Sequence, residues 1–141
     1  MSVYLIDTNV ISELRKKSRA NRGVIKFFQQ INESNQEIYL SVISIGELRR
    51  GVELIRHRCD VEQAKVLENW LEGLLSDYSE NILELDIVSA QLWGRLRVPH
   101  PENPIDKQIA AIALVHDLIV VTRNTTDFDG TGVTTFNPFI A

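Results

Sequence analysis

Five oxygen-bearing side chains of the sequence stand next to the boundaries of predicted helices and strands. They are Asp7, Glu47, Asp106, Asn124 and Asp127. In open α/β sheets, ligands bind beyond the carboxyl ends of the parallel strands. Consecutive strands and their helices would bring these side chains to one edge of such a sheet.

A group of carboxylates in one place predicts a cation. Like charges repel, so three or four carboxylates need a positive ion to hold them together. Hard oxygen ligands without Cys or His favour Mg²⁺ or Mn²⁺ over zinc. Two such ions about 4 Å apart can activate a water and stabilise the leaving oxygen during phosphodiester hydrolysis.

Each of these residues also has an ordinary structural explanation. Asp7 is a good N-cap. Ser44 and Glu47 have the spacing of a capping box, in which the glutamate only reaches back to the Ser44 amide. Asp106 suits the first turn of a helix, and Asn124 could cap a short turn. The spacing alone leaves both interpretations open.

Short apolar runs alternate with helical patterns along the chain, which is typical of a parallel α/β sheet. The run 118–122 is the most apolar and is predicted to be the central strand. The run 134–136 is predicted to be an edge strand. The predicted strands are residues 3–6, 37–40, 82–85, 118–122 and 134–136.

Apolar residues at helical spacing predict the intervening helices. Two of them form a helical hairpin within residues 44–78 that turns at 58–60, and three prolines place a loop at 98–104. The predicted helices cover 8–17, a stretch around 24–31, 45–55, 64–78, 88–96 and 105–116.

Composition limits the class of protein. A chain of 141 residues, 44% hydrophobic and 24% charged, predicts one folded domain spanning 1–141. No apolar stretch approaches the roughly 18–20 residues of a membrane span, and the start lacks the features of a signal peptide. The single cysteine, Cys59, cannot form an internal disulfide, which favours the reducing cytoplasm.

Charge is unevenly distributed around a net value of −4. Residues 1–58 carry ten Lys/Arg and six Asp/Glu, whereas residues 59–141 carry five and thirteen. The run Arg15, Lys16, Lys17, Arg19 and Arg22 packs five cations into eight positions. This run is either a solvated helix end or a rim that contacts phosphates.

Several segments together resemble a known family. The opening LIDTNVISEL, with Asp7, resembles the first motif of PIN-domain nucleases, and more narrowly the toxins of VapBC/FitAB type II toxin–antitoxin systems. Four further segments match in the expected order and cover almost the whole chain. They are LSVISIGELRRG at 40–51, DKQIAA at 106–111, VTRNTTDF at 121–128 and FNPF at 136–139.

The resemblance implies a twisted parallel sheet flanked by helices and an acidic Mg²⁺ or Mn²⁺ site that cleaves RNA. Asp7, Glu47 and Asp106 match the three metal-binding acids. Many relatives carry a fourth acid where this chain has Asn124, which puts a second metal in question. Asp127 either substitutes for that acid or caps a turn.

The resemblance also implies supporting residues and partners. Thr8 or Asn9 would orient Asp7, and Thr122 or Arg123 would support the rim of the site. Similar proteins are inhibited by an antitoxin whose tail lies in a groove near the active site, and they form homodimers or toxin–antitoxin hetero-oligomers. The hairpin offers Trp70 and Leu75 for such an interface, although core packing explains them equally well.

The leading interpretation is a metal-dependent endoribonuclease toxin in which water attacks a backbone phosphorus. The alternative is a catalytically weakened PIN-like module that regulates through a partner protein, with Asn124 as the sign of a decayed site. A receiver-type signalling domain fits poorly, because Thr8 and Asn9 follow Asp7 where such domains need acids and no lysine follows the run 118–122.

Overall fold

The computed structural model describes residues 3–140, so the predicted domain 1–141 extends slightly beyond it at both ends. A five-stranded parallel sheet has the order β3-β2-β1-β4-β5 and is flanked by helices, as the sequence predicts. The strands are β1 (Tyr4–Ile6), β2 (Ile38–Ser41), β3 (Ile82–Leu83), β4 (Ile119–Val121) and β5 (Thr135–Phe136).

Six α-helices and two short 3₁₀ turns connect the strands within residues 3–140. None of these helices is long and apolar enough to cross a membrane. The α-helices are α1 (Thr8–Leu14), α2 (Arg22–Glu33), α3 (Val42–His57), α4 (Val61–Asp77), α5 (Ile87–Leu96) and α6 (Pro104–His116), and the 3₁₀ turns are Lys17–Arg19 and Thr125–Phe128.

The two faces of the sheet carry separate apolar cores, because neighbouring strand residues point to opposite faces. Ile6 and Val121 pack with residues of α1 to α4. Leu5 and Val120 pack with α6, in which Ala110 and two other alanines are fully buried. The small side chains let α6 lie close to the sheet and fix the position of its first turn.

The most apolar strand is not the middle one. The run 118–122 was predicted to be central, but β1 occupies the middle of the sheet and β4 lies beside it. Both faces of an interior strand are covered, so Val120 and Val121 are fully buried without being in the middle. The short β5 pairs with the outer side of β4 as an edge strand, as predicted.

Two of the helix boundaries that differ from the sequence prediction have an identifiable cause. The first helix ends at Leu14 rather than at Lys17, because Lys17 adopts the left-handed conformation with φ 54°. The third helix begins at Val42, and its N-cap is Ser41, whose hydroxyl accepts a hydrogen bond from the Ser44 amide. The capping box of Ser44 and Glu47 is therefore wrong.

The predicted hairpin is formed by α3 and α4. Leu75 and Trp70 are partly buried and pack against the core on that face of the sheet. Charged side chains on the outside of the hairpin pair with one another: Arg49 contacts Glu68 at 2.7 Å, and Arg56 contacts the same carboxylate at 3.2 Å. We refer to Arg49, Glu53, Arg56, Glu68 and Glu72 as the hairpin ion-pair network.

Candidate active site

A cavity of about 300 Å³ opens at the carboxyl edge of the sheet. It is lined by all five of the oxygen-bearing side chains that the sequence singled out, although they come from four separate parts of the chain. We call this space the acidic cavity. Its lining residues are Asp7, Thr8, Asn9, Glu47, Ile105, Asp106, Ile109, Asn124 and Asp127.

Asp7 is the most deeply placed of these acids and is only 4% exposed. It directly follows β1 and caps α1, and one carboxylate oxygen accepts a 2.8 Å hydrogen bond from the Thr8 amide. The other oxygen accepts a 2.8 Å hydrogen bond from the Thr122 hydroxyl. Burial raises the pKa of Asp7, while these two hydrogen bonds oppose that rise.

Asn9 and Thr122 form a small network that fixes Asp7. The Asn9 amide nitrogen lies 3.4 Å from both the Asp7 carboxylate and the Thr122 hydroxyl oxygen. The Asn9 side-chain oxygen accepts a 3.0 Å hydrogen bond from the Arg123 amide. Thr122 is fully buried and touches Asp7 directly, so its place is beneath the cavity rather than at the rim.

Glu47 lies in the second turn of α3, and its side chain is half-buried. Two buried serines that the sequence analysis did not propose as supporting residues fix the start of this helix. Ser41 caps it, and the Ser44 hydroxyl accepts a 2.9 Å hydrogen bond from the Thr8 hydroxyl, which ties α3 to α1. Thr8 therefore aligns the helix that carries Glu47, whereas its contact with Asp7 is through the backbone.

Asp106 is the third residue of α6 and is half-buried. Burial, followed by repulsion from Asp7, Asp127 and Glu47, raises the pKa of Asp106 to about 6. Lys107 is adjacent in sequence, but its ammonium group donates a hydrogen bond to the His100 carbonyl. Within residues 3–140, Lys107 forms no ion pair with Asp106.

Asn124 and Asp127 enter the cavity from the 3₁₀ turn Thr125–Phe128, which follows β4. Asn124 stands at the N-cap of this turn without a side-chain capping bond, so its amide group is free to face the cavity. Asp127 raises the pKa of Asp7 and of Asp106 by charge repulsion. It therefore acts electrostatically on the same site.

The lining fits a hard divalent cation by its chemistry, because its polar ligands are carboxylate, amide and hydroxyl oxygens. Within residues 3–140, no three His, Cys, Asp or Glu side chains are yet close enough together to hold one ion. None of Asp7, Glu47, Asp106 and Asp127 forms an ion pair in this part of the chain. The cavity therefore gathers negative charge that no protein cation neutralises directly.

Comparisons with known proteins agree with this architecture. The family model described as PIN domain matches residues 4–132. Toxin FitB of Neisseria gonorrhoeae is 33% identical over 143 residues, covering 97% of this chain and 99% of that protein. A VapC ribonuclease of Sinorhizobium fredii is 29% identical, covering 97% and 98%. The crystal structure of FitAcB from N. gonorrhoeae superposes with a TM-score of 0.80 at 34% identity, covering 96% and 97%.

Proposed function

Because the chain belongs to the PIN-domain family and is related to toxins of the VapBC/FitAB type, we propose that it is a divalent-metal-dependent endoribonuclease. It acts as the toxin of a type II toxin–antitoxin module. The observation that carries this proposal is the acidic cavity, which Asp7, Glu47, Asp106 and Asp127 line without forming an ion pair within residues 3–140.

Asp7, Glu47 and Asp106 are the residues that would hold Mg²⁺ or Mn²⁺. When bound, such a cation lowers the pKa of water and neutralises charge that develops on a phosphate. The reaction is attack of water on a backbone phosphorus, with cleavage of the bond between phosphorus and the leaving sugar oxygen. Asn124 supplies a carbonyl oxygen to the same cavity but no charge, which favours one tightly held ion over two.

The chain itself restrains two of these carboxylates before a ligand binds. Asp7 is held by the Thr8 amide and the Thr122 hydroxyl, so its carboxylate loses little freedom when it binds a ligand. Asp106 is held by the first turn of a helix whose body is buried against the sheet. These restraints limit how far Asp7 and Asp106 must move when a ligand binds, and less movement lowers the cost of reaching the transition state.

The test is cleavage of total RNA and of structured RNAs by purified protein in Mg²⁺, in Mn²⁺ and in EDTA. We expect metal-dependent cleavage that Asp106→Asn reduces by about 100-fold or more, because an acid that binds the metal contributes at least as much as the groups that hydrogen-bond to such an acid and orient it. Asp129→Asn is the matched control, since Asp129 is exposed and does not line the acidic cavity.

Antitoxin must be removed before this assay, for example by unfolding the complex on a column and refolding the toxin. If antitoxin-free, folded wild-type protein binds Mn²⁺ but cleaves none of the RNAs, the nuclease proposal fails. The catalytically weakened binding module would then be the better description, and Asn124→Asp would test whether an added acid restores cleavage.

A groove of about 250 Å³ beside the acidic cavity has a lining suited to an apolar segment of an antitoxin. Leu48, Val52, Leu67 and Trp70 make most of it apolar, while Glu47 stands at its boundary with the cavity. We propose that a segment of the cognate antitoxin occupies this groove and directs a basic side chain toward the acids. Trp70→Ala should weaken binding of the co-encoded antitoxin in a titration, and unchanged affinity would contradict this placement.

Assembly follows from the same proposal. One solved relative is the structure of FitAB bound to a DNA fragment, with a TM-score of 0.82 and 32% identity to this chain. We expect the purified complex to be a hetero-oligomer, and the free toxin to be a homodimer. Light scattering of both preparations gives the masses, and a monomeric free toxin would contradict the dimer.

A further inference from the structure

The basic run of the sequence forms an exposed turn immediately after α1. Arg15, Lys16, Lys17, Arg19 and Arg22 are all exposed. The middle of the run is the 3₁₀ turn Lys17–Arg19, and the last cation is the first residue of α2. We call these five residues the basic turn. Its cations are concentrated on one short stretch of surface rather than spread along a helix.

The basic turn has a defined conformation. Glu13, which is only 9% exposed, accepts a 2.8 Å hydrogen bond from the Asn21 amide and a 3.0 Å bond from the Lys16 ammonium. One buried carboxylate thus joins the two ends of the turn. The Asn21 side chain donates a 2.8 Å hydrogen bond to the Ile140 carbonyl, which anchors the turn to the C-terminal segment. The backbone that carries the cations is therefore held in one conformation.

The charge of the basic turn is largely uncompensated. Among residues 3–140, only Lys16 of the five cations forms an ion pair, and its partner is Glu13. In the hairpin, in contrast, Arg49 contacts three glutamates and Arg56 contacts two. The whole chain carries a net charge of −4, so an unpaired positive patch departs from its average character.

The basic turn lies close to the acidic cavity. Helix α1 begins at Thr8 in the cavity lining, and seven residues rise only about 10 Å. Arg15 lines the groove that also contains Thr8 and Glu47. Arg123 is exposed and lies between the acidic cavity and the basic turn. Its backbone N–H donates a hydrogen bond to Asn9 of the cavity, and its positive charge helps to lower the pKa of Glu13 beneath the basic turn.

We propose that the basic turn and Arg123 form a track that binds the phosphates flanking the cleaved position of a single-stranded RNA. This inference rests on the proposed nuclease function and adds to it where the substrate strand runs. Uncompensated carboxylates repel a polyanion, so a nearby row of cations is needed to hold the strand against the cavity. Sites that bind single strands commonly cover about 4–16 nucleotides, which is ample to span the two regions.

RNA binding without cleavage tests the track. The probe is a fluorescent 20-nucleotide single-stranded RNA, titrated in EDTA against Asp106→Asn protein at several salt concentrations. Each phosphate contact contributes about 0.7 to the slope of log affinity against log salt concentration. Adding Lys17→Gln and Arg19→Gln should weaken binding and lower this slope by about 1.4.

The matched control adds Arg58→Gln and Lys65→Gln instead. These two exposed cations lie at the α3–α4 turn, and Arg58 is about 16 Å along α3 from Glu47. The control removes the same charge and should leave the slope unaltered. Equal slopes for the two double variants would overturn the track, as would a basic-turn variant that binds RNA like its parent.

Two further measurements distinguish an RNA-binding track from an antitoxin-binding surface and from a turn with no role in binding. If only the affinity for antitoxin falls in the basic-turn variant, the surface belongs to the partner protein and the track is wrong. In the active protein, the ratio of kcat/KM for a long RNA to that for a tetranucleotide should fall with Lys17→Gln and Arg19→Gln. Because binding is measured without metal, it remains informative if the protein cleaves nothing.

Discussion

The acidic cavity and the hairpin ion-pair network treat charge in opposite ways. In the network, Glu68 accepts contacts from Arg49 and Arg56, and these contacts lower the pKa of Glu68. In the cavity, burial and repulsion from three other acids raise the pKa of Asp106 to about 6. The charges of the hairpin network are neutralised by one another, whereas the negative charge of the acidic cavity is left for a bound cation to neutralise.

The charged residues of the hairpin network stabilise the folded protein, whereas those of the acidic cavity destabilise it. Ion pairs on an exposed helix surface contribute little individually, but they cost nothing in function. Clustered, partly buried carboxylates oppose folding, because each ionised group lowers the stability of the others. Sites of this kind commonly carry the chemistry of a protein. The following variants change one region at a time.

Among the variants that keep every carboxylate of the acidic cavity, Thr122→Val is expected to have the largest effect. The substitution keeps the shape but removes the hydroxyl that donates to the Asp7 carboxylate and accepts a 3.1 Å hydrogen bond from the backbone N–H of Asn124. We expect metal affinity and RNA cleavage to fall by about 10–100-fold, as for groups that orient metal ligands. Unfolding free energy should fall by about 1–3 kcal/mol, because buried groups lose their partner.

Thr131→Val provides the control for this variant. Thr131 is also buried, and its hydroxyl donates a 2.6 Å hydrogen bond to the Phe128 carbonyl, outside the cavity lining. Its loss should destabilise the protein by a similar amount while metal affinity stays the same. If both variants lose cleavage in proportion to stability, Thr122 has no role beyond packing.

Asn124→Asp should increase the charge repulsion in the acidic cavity while leaving the hairpin ion-pair network unchanged. It adds a carboxylate to a cavity that already holds four, so the metal-free protein should lose about 1 kcal/mol of stability at neutral pH. The same charge should tighten Mn²⁺ binding, as measured by isothermal titration calorimetry. Lower stability without tighter binding would indicate that residue 124 does not face the ion.

The pH dependence of the free energy of unfolding should show that the ionised Asp106 carboxylate destabilises the folded protein. Its pKa is about 6 in the folded protein but near 4 when unfolded. Above pH 6, the ionised carboxylate therefore destabilises the fold, and Asp106→Asn should be more stable than wild type in EDTA. As the pH falls toward 4, the folded wild type takes up the proton first and the difference should disappear.

Urea unfolding at pH 8, 6 and 4.5 measures this difference. Asp129→Asn should show no comparable trend, since Asp129 lies outside the cavity. A constant gap between wild type and Asp106→Asn across this range would mean that the neighbouring acids do not act on Asp106.

Glu68→Gln should have the smallest effect. It removes one charge from the hairpin network, so the unfolding temperature should decrease slightly at low salt, and less in high salt, where surface charges are screened. RNA cleavage should be retained. A loss of cleavage comparable to that of Thr122→Val would remove the proposed division between the two regions.

Much of the fold follows from sequence patterns. The parallel α/β class, the hairpin and the edge strand β5 were predicted and are confirmed by the structure. The middle strand was not, because hydrophobicity reports burial, and both β1 and β4 are buried on two faces. The end of α1 was predicted wrongly because Lys17 adopts a left-handed conformation, which cannot be predicted from a lysine in the sequence.

The candidate site was predicted at the level of residues but not of contacts. Asp7, Asn124 and Asp127 were located by their position after strands, and the structure brings them together with Glu47 and Asp106 in one cavity. Ser41 and Ser44 were not proposed as supports, since a capping box at Ser44 and Glu47 fits the sequence equally well. Only the three-dimensional arrangement shows that Ser44 bonds Thr8 and thereby orients α3.

The most direct test of the account is whether a divalent cation relieves the repulsion in the acidic cavity. Thermal unfolding of antitoxin-free protein is measured as Mn²⁺ is added, for wild type and for Asp106→Asn. A ligand that binds only the folded state raises its stability in step with its concentration. We predict a clear rise for wild type and a much smaller one for Asp106→Asn. Equal rises, or no rise at millimolar Mn²⁺, would contradict the assignment of the cavity as a metal site.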